Sequence, residues 1–234
     1  YHMGVTAENI AKKFNITRQE QDEFALNSQK KTELAFNNNK FSEELVKINH
    51  DGNILDIDEH PRKGLKICDL QKLKTVFQDN GTITPGNSSG INDGAAALLL
   101  TSLAETEKKS IKPLAKIISW SSVGVDPSIM GLGPIEAVRE ASKKAKWNLD
   151  EIDLFEINEA FASQSIAVIR ELGINQNKVN VNGGAIALGH PIGASGARIL
   201  VTLIHEMKRQ KKDKGCATLC IGGGMGIALC VERI

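Results

Sequence analysis

The amino-acid sequence predicts an α/β protein in which helices cover a largely buried sheet. Two observations carry this prediction. From residue 111 onward, short apolar runs typical of strands alternate with stretches that have the apolar spacing of amphipathic helices. In addition, 41% of the 234 residues are hydrophobic, which supplies enough apolar material for a substantial core.

The first third of the chain combines helices with a long irregular region. Thr17 and Glu20 have the spacing of a capping box, which predicts a polar helix that runs to about Asn37. From Asn49 to about Asn92, frequent Gly, Pro, Asn and Asp residues interrupt any periodicity. So long a connection is uncommon in a compact domain, and we expect it to cover a ligand.

The remaining elements follow in chain order. The apolar run 95–100 predicts a buried strand, and the charged run 104–109 predicts a short helix. Further strands are predicted over 114–122, 152–157, 179–181, 216–221 and 226–232, and further helices over 134–146, 159–172 and 193–212.

Composition and charge exclude several classes of function. The 29 basic and 28 acidic side chains give a formal net charge of +1. Such a balanced charge gives no indication of nucleic-acid binding. No apolar run approaches the roughly 20 residues that cross a bilayer, and the first residues lack signal-peptide character. The cysteines Cys68, Cys216, Cys220 and Cys230 have no CxxC spacing, so we expect free thiols and no metal site. These features predict a cytoplasmic protein without membrane contact.

Three segments with unusual residues occur where predicted strands or turns end. Asn158 begins the sequence NEAF, His190 lies in GHPIGASG, and Cys220 begins CIGGGMG. Each residue has an ordinary alternative explanation: a helix cap for Asn158, a turn residue beside Pro191 for His190, and a small buried hydrophobe for Cys220. Together, however, a hydrogen-bond donor, a histidine and a thiol at one sheet edge indicate acyl-transfer chemistry.

A phosphate-binding loop is excluded for the glycines at 222–226. No Lys-Ser/Thr pair follows them, and the segment leads into a predicted strand instead of a helix.

These three segments and a fourth, GNSSGINDGA at 86–95, closely resemble the signature sequences of the thiolase family, in the same order. The resemblance runs from Tyr1 to Ile234. The start YHMG, the pair Met130–Gly131 and the CIGGGMG ending are similar to the short-chain biosynthetic branch of that family, in particular its cytosolic form.

The resemblance implies the layered αβαβα thiolase fold, with most of the amino-terminal half absent from this sequence. Residues 1–91 would be the end of a loop domain over the coenzyme A (CoA) site. Residues 92–110 would complete the amino-terminal domain, and residues 111–234 would form the carboxy-terminal domain.

The resemblance also implies a reaction, in which two acetyl-CoA molecules give acetoacetyl-CoA and CoA, or the reverse thiolysis. Cys220 would remove a proton from the methyl group of acetyl-CoA, His190 would donate to the thioester oxygen, and Asn158 would hold a water that donates alongside it. The backbone N–H of Gly222 would stabilise the tetrahedral intermediate. A side chain in this glycine turn would obstruct the acyl pocket.

The family uses a second cysteine as its acylated nucleophile, and none of the four cysteines here resembles that residue. For Cys68, Cys216 and Cys230 a structural role is favoured. We therefore expect the nucleophile upstream of Tyr1, within roughly 150 family residues that this sequence does not contain. The chain alone is then expected to be inactive.

Coenzyme A or acetyl-CoA is implied as a substrate, with no tightly bound cofactor. By resemblance, the pantetheine arm is surrounded by His2, Met3, Val76, Phe77, Ser89, Met130, Ala160 and Phe161, with Ser89 as a polar contact to its amide, while Arg62 lies against the adenine ring. Ordinary core packing is the alternative for Met3, Phe77, Met130 and Phe161.

Two alternative functions stay open. One is a broader 3-ketoacyl-CoA thiolase of fatty-acid breakdown, which Met130 disfavours because it would restrict the pocket to short acyl groups. The other is a non-catalytic module that binds CoA or forms oligomers, which the retention of Cys220, His190 and Asn158 disfavours. Thiolases form dimers and often tetramers, so a homo-oligomer is expected by resemblance.

Overall fold

The computed structural model describes residues 1–234, which contain eight α-helices and six strands. The helices are α1 (Met3–Lys13), α2 (Arg18–Asn37), α3 (Ile67–Gln71), α4 (Leu103–Lys108), α5 (Gly133–Ala145), α6 (Ala162–Leu172), α7 (Ala185–Leu188) and α8 (Ser195–Gln210). The strands are β1 (Ile48–His50), β2 (Asn53–Leu55), β3 (Ala115–Gly124), β4 (Leu154–Ile157), β5 (Lys214–Ile221) and β6 (Met225–Arg233).

A four-stranded mixed sheet in the order β3-β6-β5-β4 forms the centre of the protein. Strands β4 and β5 are parallel, whereas β6 is antiparallel to both β5 and β3. The sheet is thus a hairpin, β5 and β6, extended by one strand on each side.

Helices cover both faces of this sheet, as the alternation of side chains in the strands requires. On one face, Phe155 of β4 and Cys216 of β5 pack against α5 and α6. On the other, Leu154 and Ala217 pack against α8. These residues therefore form a three-layer α/β/α arrangement, in agreement with the predicted α/β class.

The two amino-terminal helices begin as their sequences indicate. Thr17 caps α2 by accepting from the backbone N–H of Glu20, and the Glu20 carboxylate accepts from the backbone N–H of Thr17 at 2.7 Å. This capping box confirms the predicted start of the polar helix, which ends at Asn37 as expected. Helix α1 is tied to the chain beyond it by the buried Glu8, whose carboxylate accepts from Thr82 and Ile83.

The region from residue 49 to 92 is mostly irregular, as predicted. Only the short hairpin of β1 and β2 and the five-residue helix α3 interrupt it. Helix α3 is anchored by Leu70, which is buried and whose carbonyl accepts from Arg18 at 2.7 Å. Most of the remaining backbone of this region lies on the surface.

The expectation of a buried strand at 95–100 is wrong. This run forms no regular secondary structure, and Leu99 and Leu100 are 89% and 66% exposed. An apolar run becomes a strand only where another strand satisfies its backbone groups, and no strand within residues 1–234 pairs with it. The apolar composition of this run therefore does not suffice to predict that its side chains are buried in a strand.

Two further boundaries differ from the sequence-based expectation. The predicted strand at 179–181 is reduced to single bridges, from Val179 to Phe155 and from Val181 to Gly183. The helix predicted from Glu159 begins only at Ala162, because the two residues before it bond to the segment at Ser88 and Ser89 instead. No helix of the chain is both long enough and apolar enough to cross a bilayer.

Candidate active site

Two of the three predicted site segments meet at one edge of the central sheet. Asn158 follows the last residue of β4, and Cys220 is the penultimate residue of the neighbouring parallel strand β5. The backbone N–H of Asn158 donates to the carbonyl of Thr218 at 3.0 Å, which fixes the end of β4 against β5. The carboxyl ends of the two parallel strands thus bring these side chains to the same edge, as predicted.

His190 reaches this edge from the loop between α7 and α8. Its Nε2 atom lies 3.4 Å from Nδ2 of Asn158. The main chain of His190 is held by Asn92, whose Oδ1 accepts from the His190 N–H at 3.2 Å. The histidine and the asparagine that the sequence analysis selected are therefore neighbours, although 32 positions separate them.

The structure removes the ordinary explanation for Asn158. Helix α6 begins at Ala162, its N-cap residue is Phe161, and no side chain caps it, so Asn158 is not a helix cap. The side chain of Asn158 is completely buried, and its Oδ1 has no hydrogen-bond partner in the protein. A buried amide oxygen without a partner is costly, so this group has capacity for a water or a substrate.

The surroundings of His190 favour the neutral imidazole. Burial lowers its pKa, and the positive charge of Arg198 lowers it further. Arg198 lies in α8, whose first residue, Ser195, places Oγ 2.5 Å from Nδ1 of His190. Nδ1 of His190 thus contacts the Ser195 hydroxyl, and Nε2 faces the side-chain amide of Asn158.

Cys220 lies in an apolar environment and is 8% exposed. It packs in one cluster with Met130, Ala160, Phe161 and other apolar side chains. Burial raises the pKa of the Cys220 thiol to about 11, so the protonated thiol is its resting state at neutral pH. A group in this state can donate a proton directly, whereas acting as a base requires that a thiolate be stabilised.

Three of the predicted CoA contacts extend this apolar cluster. Met3 and Phe77 pack against it, and Phe77 lies edge-on to Phe161 with ring centroids 6.2 Å apart. His2 stacks on the other side of Phe77, at 4.8 Å between centroids. Packing and binding explanations coexist here, because Phe77 also lines the adjoining cleft.

That cleft has a volume of about 280 Å³ and adjoins the apolar cluster at Phe77. Its lining includes the predicted contacts Arg62, Val76, Phe77 and Ser89, together with His60. Ser89 is fixed beside the cluster, since its backbone N–H donates to the carbonyl of Ala160 at 3.0 Å. The structure therefore places the predicted contacts on the cleft or in the cluster next to it, except His2, which stacks on Phe77.

The glycine turn after Cys220 connects β5 to β6 as a hairpin, which agrees with the exclusion of a phosphate loop. At Gly224, φ is +95°, and a Cβ atom would lie 2.3 Å from the carbonyl of Val125, so packing demands glycine there. At Gly222 a Cβ atom would meet only Met3 Sδ, at the ordinary contact distance of 3.8 Å. The predicted obstruction at Gly222 thus depends on a bound acyl group and stays a prediction.

The other cysteines occupy different environments. Cys216 and Cys230 face each other across β5 and β6, and both lie in the main hydrophobic core, which fits a structural role. Cys68 is exposed on α3. No group of three or more His, Cys, Asp or Glu side chains in the chain is arranged to hold a metal ion.

Sequence reasoning missed three residues that support the site. Ser195 contacts His190, Asn92 holds its backbone, and the buried Glu159 accepts from Ser28 and Asn180 beneath Asn158. Each lies within one of the four quoted segments, so the signal was present. Their contacts join residues far apart in the chain, which no local pattern reveals.

Comparison with known proteins assigns the family. The model of the thiolase carboxy-terminal domain matches residues 111–233, and that of the thiolase amino-terminal domain matches residues 1–104. The chain belongs to the thiolase family. The resemblance read from the four sequence segments is confirmed.

Individual thiolases are similar over the whole chain. It is 56% identical to the acetyl-CoA acetyltransferase of Rhizobium meliloti (strain 1021), and 53% identical to the cytosolic acetyl-CoA acetyltransferase of Mus musculus. Each alignment covers 100% of this chain, but 61% of the first relative and 60% of the second. The chain thus spans less than two thirds of the length of these relatives.

A solved structure shows that the fold is shared. Human mitochondrial 3-ketoacyl-CoA thiolase in complex with CoA superimposes with a TM-score of 0.95 and 43% sequence identity, over 99% of this chain and 59% of that one. The chain therefore has the thiolase fold.

Proposed function

We propose that this chain forms the acid/base part of an acetyl-CoA C-acetyltransferase, an acyltransferase. The enzyme would condense two acetyl-CoA molecules to acetoacetyl-CoA and CoA and catalyse the reverse thiolysis. The observation that carries the proposal is that Asn158 and the buried thiol of Cys220 lie at the ends of neighbouring strands, and that His190 meets Asn158 at this edge of the sheet. The names of the similar proteins from Rhizobium meliloti and Mus musculus support it.

In the condensation direction, the Cys220 thiolate takes a proton from the methyl group of acetyl-CoA. The electron pair left on that carbon is delocalised onto the thioester oxygen, which accepts from Nε2–H of His190 and from a water held by Asn158. The carbanion then attacks the acyl carbon of the acetylated cysteine, and that cysteine sulfur leaves. A neutral His190 suits this role, because it donates without being an acid that simply protonates the enolate.

In the thiolysis direction, the thiol of Cys220 returns the proton to the departing enolate. Burial favours this protonated state, since it raises the pKa of Cys220 to about 11. The site is therefore ready for proton donation, whereas condensation requires that the thiolate be stabilised when substrate enters. This asymmetry is a property of the apolar cluster around Cys220.

The cleft beside the cluster is proposed to hold CoA. Phe77 lines this cleft and packs against the cluster that contains Cys220, and Arg62 also lines the cleft, which supports a thioester at the cluster and the rest of CoA in the cleft. Ser89 would contact the pantetheine amide, and Arg62 would stack on the adenine. No tightly bound cofactor is required by this chemistry.

The acylated nucleophile is proposed to lie outside these 234 residues. Cys216 and Cys230 are enclosed in the main core, and Cys68 is exposed on α3, away from the cluster around Cys220. The backbone N–H of Gly222, at the start of the turn after Cys220, would donate to the tetrahedral intermediate formed on that nucleophile.

A short acyl group is proposed as the preferred substrate, because Met130 is 5% exposed and packs in the same cluster as Cys220. The alternative, a 3-ketoacyl-CoA thiolase with a broader range, is favoured by the close superposition on the human mitochondrial enzyme of that name. A cytoplasmic location is proposed from the cytosolic mouse relative, and a homo-oligomer from the family.

The proposal is tested in a chimera in which these 234 residues replace the matching segment of the Rhizobium meliloti relative. Thiolysis of acetoacetyl-CoA is expected, at a higher kcat/KM than with a longer 3-ketoacyl-CoA. A folded chimera that binds CoA and cleaves neither substrate contradicts the enzyme proposal and supports a non-catalytic module. Faster cleavage of the longer substrate supports the alternative enzyme.

A further inference from the structure

We propose that Ser195 is a positioning residue, whose hydroxyl determines which nitrogen of His190 carries the proton. This inference rests on the proposed function, in which Nε2 of His190 donates to the thioester oxygen. A neutral imidazole has a single N–H, so donation from Nε2 requires that Nδ1 act as an acceptor. A donor beside Nδ1 is therefore needed.

The Ser195 hydroxyl lies between two acceptors. Its Oγ is 2.5 Å from Nδ1 of His190 and 2.9 Å from the carbonyl oxygen of Pro191. A hydroxyl has one proton, so it can donate to only one of them. If it donates to Pro191, His190 must place its proton on Nδ1, and Nε2 cannot donate. The direction of one O–H bond thus decides the tautomer.

The backbone indicates which direction is favoured. The carbonyl oxygen of Pro191 already accepts from the N–H groups of Ala194 and Ser195, each at 2.8 Å. These two donors occupy both lone pairs of that oxygen. The hydroxyl proton of Ser195 is therefore left for Nδ1 of His190, and the proton of the ring lies on Nε2.

With this tautomer, the Nε2–H of His190 and the side-chain N–H of Asn158 are two donors 3.4 Å apart. Two donors do not bind each other, but each can serve the proposed reaction: Nε2–H can donate to the thioester oxygen, and Asn158 can hold the water that donates alongside it. The tautomer set by Ser195 is the one that this arrangement requires.

Both partners are held in place. Ser195 is the first residue of α8 and is 1% exposed, and Asn92 accepts from the backbone N–H of His190. Protonating both ring nitrogens would remove the choice of tautomer, but burial and the charge of Arg198 disfavour the imidazolium by lowering the pKa of His190. The protonation of His190 then differs only in which ring nitrogen carries the single proton, and the Ser195 hydroxyl determines this.

The direct test is a long-range ¹H–¹⁵N correlation spectrum of this chain with ¹⁵N-labelled histidine, at a pH where His190 is neutral. The chain has five histidines, and the His190→Asn variant assigns the signal. We expect the Nε2–H tautomer in the wild type and a mixture with the Nδ1–H tautomer in Ser195→Ala. An Nδ1–H tautomer in the wild type, or a pure Nε2–H tautomer in Ser195→Ala, overturns the proposal.

Two further variants sharpen this test. Ser195→Thr keeps the hydroxyl and is expected to keep the wild-type tautomer. Ser142→Ala removes another buried serine hydroxyl, on α5, and is expected to leave the His190 signal unchanged. A change in Ser142→Ala equal to that in Ser195→Ala would show a general structural effect and would contradict the specific one.

Kinetics of the chimera give a second readout. Ser195→Ala is expected to lower kcat for thiolysis roughly three- to tenfold with little change in KM, which is the size expected for one hydrogen bond. An unchanged kcat would count against the proposal. If the unsubstituted chimera is inactive, the proposed function fails, whereas the tautomer in the spectrum still decides the role of Ser195.

Discussion

Two regions of the proposed site, which we call the floor and the cover, are held in different ways. The floor is the end of β4 and β5 with Asn158 and Cys220, which are 0% and 8% exposed. The cover is the surface segment 46–78, in which Val46 and Val76 are 82% and 52% exposed. The groups proposed for the chemistry thus lie at buried strand ends, where geometry is fixed, and the proposed CoA contacts Arg62 and Val76 lie on a surface segment, where adjustment costs little.

This difference predicts that substitutions in the two regions should have different effects. Changes in the floor should lower kcat or stability, because they alter groups packed in the core. Changes in the cover should act mainly on KM, because they remove contacts to CoA without disturbing the reacting groups.

Cys220→Ser in the chimera should lower kcat for thiolysis by about 10²–10⁴-fold, because a hydroxyl is a far weaker acid than a thiol. The substitution is nearly isosteric, so the melting temperature should change little. The matched control is Cys216→Ser on the same strand, which lies in the main core and should affect stability without removing a catalytic group. A kcat within threefold of the unsubstituted chimera for Cys220→Ser would show that the floor does not carry the chemistry.

Glu159→Gln should lower the free energy of unfolding by about 3 kcal/mol, because an amide N–H would replace a buried oxygen that accepts hydrogen bonds. The Glu159 carboxylate accepts from Ser28 at 2.7 Å, from Asn180 at 2.8 Å and from the N–H of Ile186 at 3.2 Å. Urea denaturation of this chain measures the effect. Glu140→Gln on the surface of α5 is the control and should be neutral; equal stability of both variants would refute the structural role of Glu159.

Stability should fall as the pH rises through neutrality, because Glu156 is buried as a neutral acid. Burial outweighs the nearby Arg198 and raises the pKa of Glu156 to about 8. Between the ordinary carboxyl pKa and about 8, the unfolded chain loses this proton while the folded chain keeps it, so folding becomes less favourable. Between pH 6 and 8 the expected loss is about 1 kcal/mol per pH unit.

Glu156→Gln tests this pH dependence, since the amide does not titrate. Melting temperatures measured from pH 5 to 9 should fall less steeply in this variant than in the wild type. Parallel curves for the two proteins would assign the pH dependence to other groups, such as Glu44, whose pKa burial raises to about 7.

Arg62→Ala should produce the smallest effect, a two- to fivefold rise in KM for acetoacetyl-CoA in the chimera, the size of an exposed cation–π contact of about 0.5–1 kcal/mol. Its kcat should stay unchanged. Lys63→Ala, at the neighbouring exposed position, is the control and should leave both constants unaltered. A large fall in kcat for Arg62→Ala would contradict the prediction that substitutions in the cover act mainly on KM.

The sequence correctly predicted that the residues of the floor lie at strand ends, but it did not predict that the apolar run 95–100 would be exposed. Asn158, His190 and Cys220 were found because strand ends and family segments mark them, and the structure brings the first two within 3.4 Å of each other. The strand expected at 95–100 was wrong, because a strand depends on a partner that the local pattern does not specify.

The supporting residues could not be predicted for a related reason. Asn92 meets His190 across 98 positions, and Ser28 meets Glu159 across 131. Such contacts follow from how α2, the cover and the sheet are assembled. Periodicity describes each element separately and carries no information about their arrangement.

Deuterium exchange at the methyl group of acetyl-CoA isolates the proton transfer that is assigned to Cys220. In D₂O, the chimera should incorporate deuterium into that methyl group, as measured by mass spectrometry, and Cys220→Ser should abolish the incorporation. Both proteins should still bind CoA in calorimetry. Deuterium incorporation at the same rate in Cys220→Ser would contradict the assignment of Cys220 as the group that removes and returns the proton.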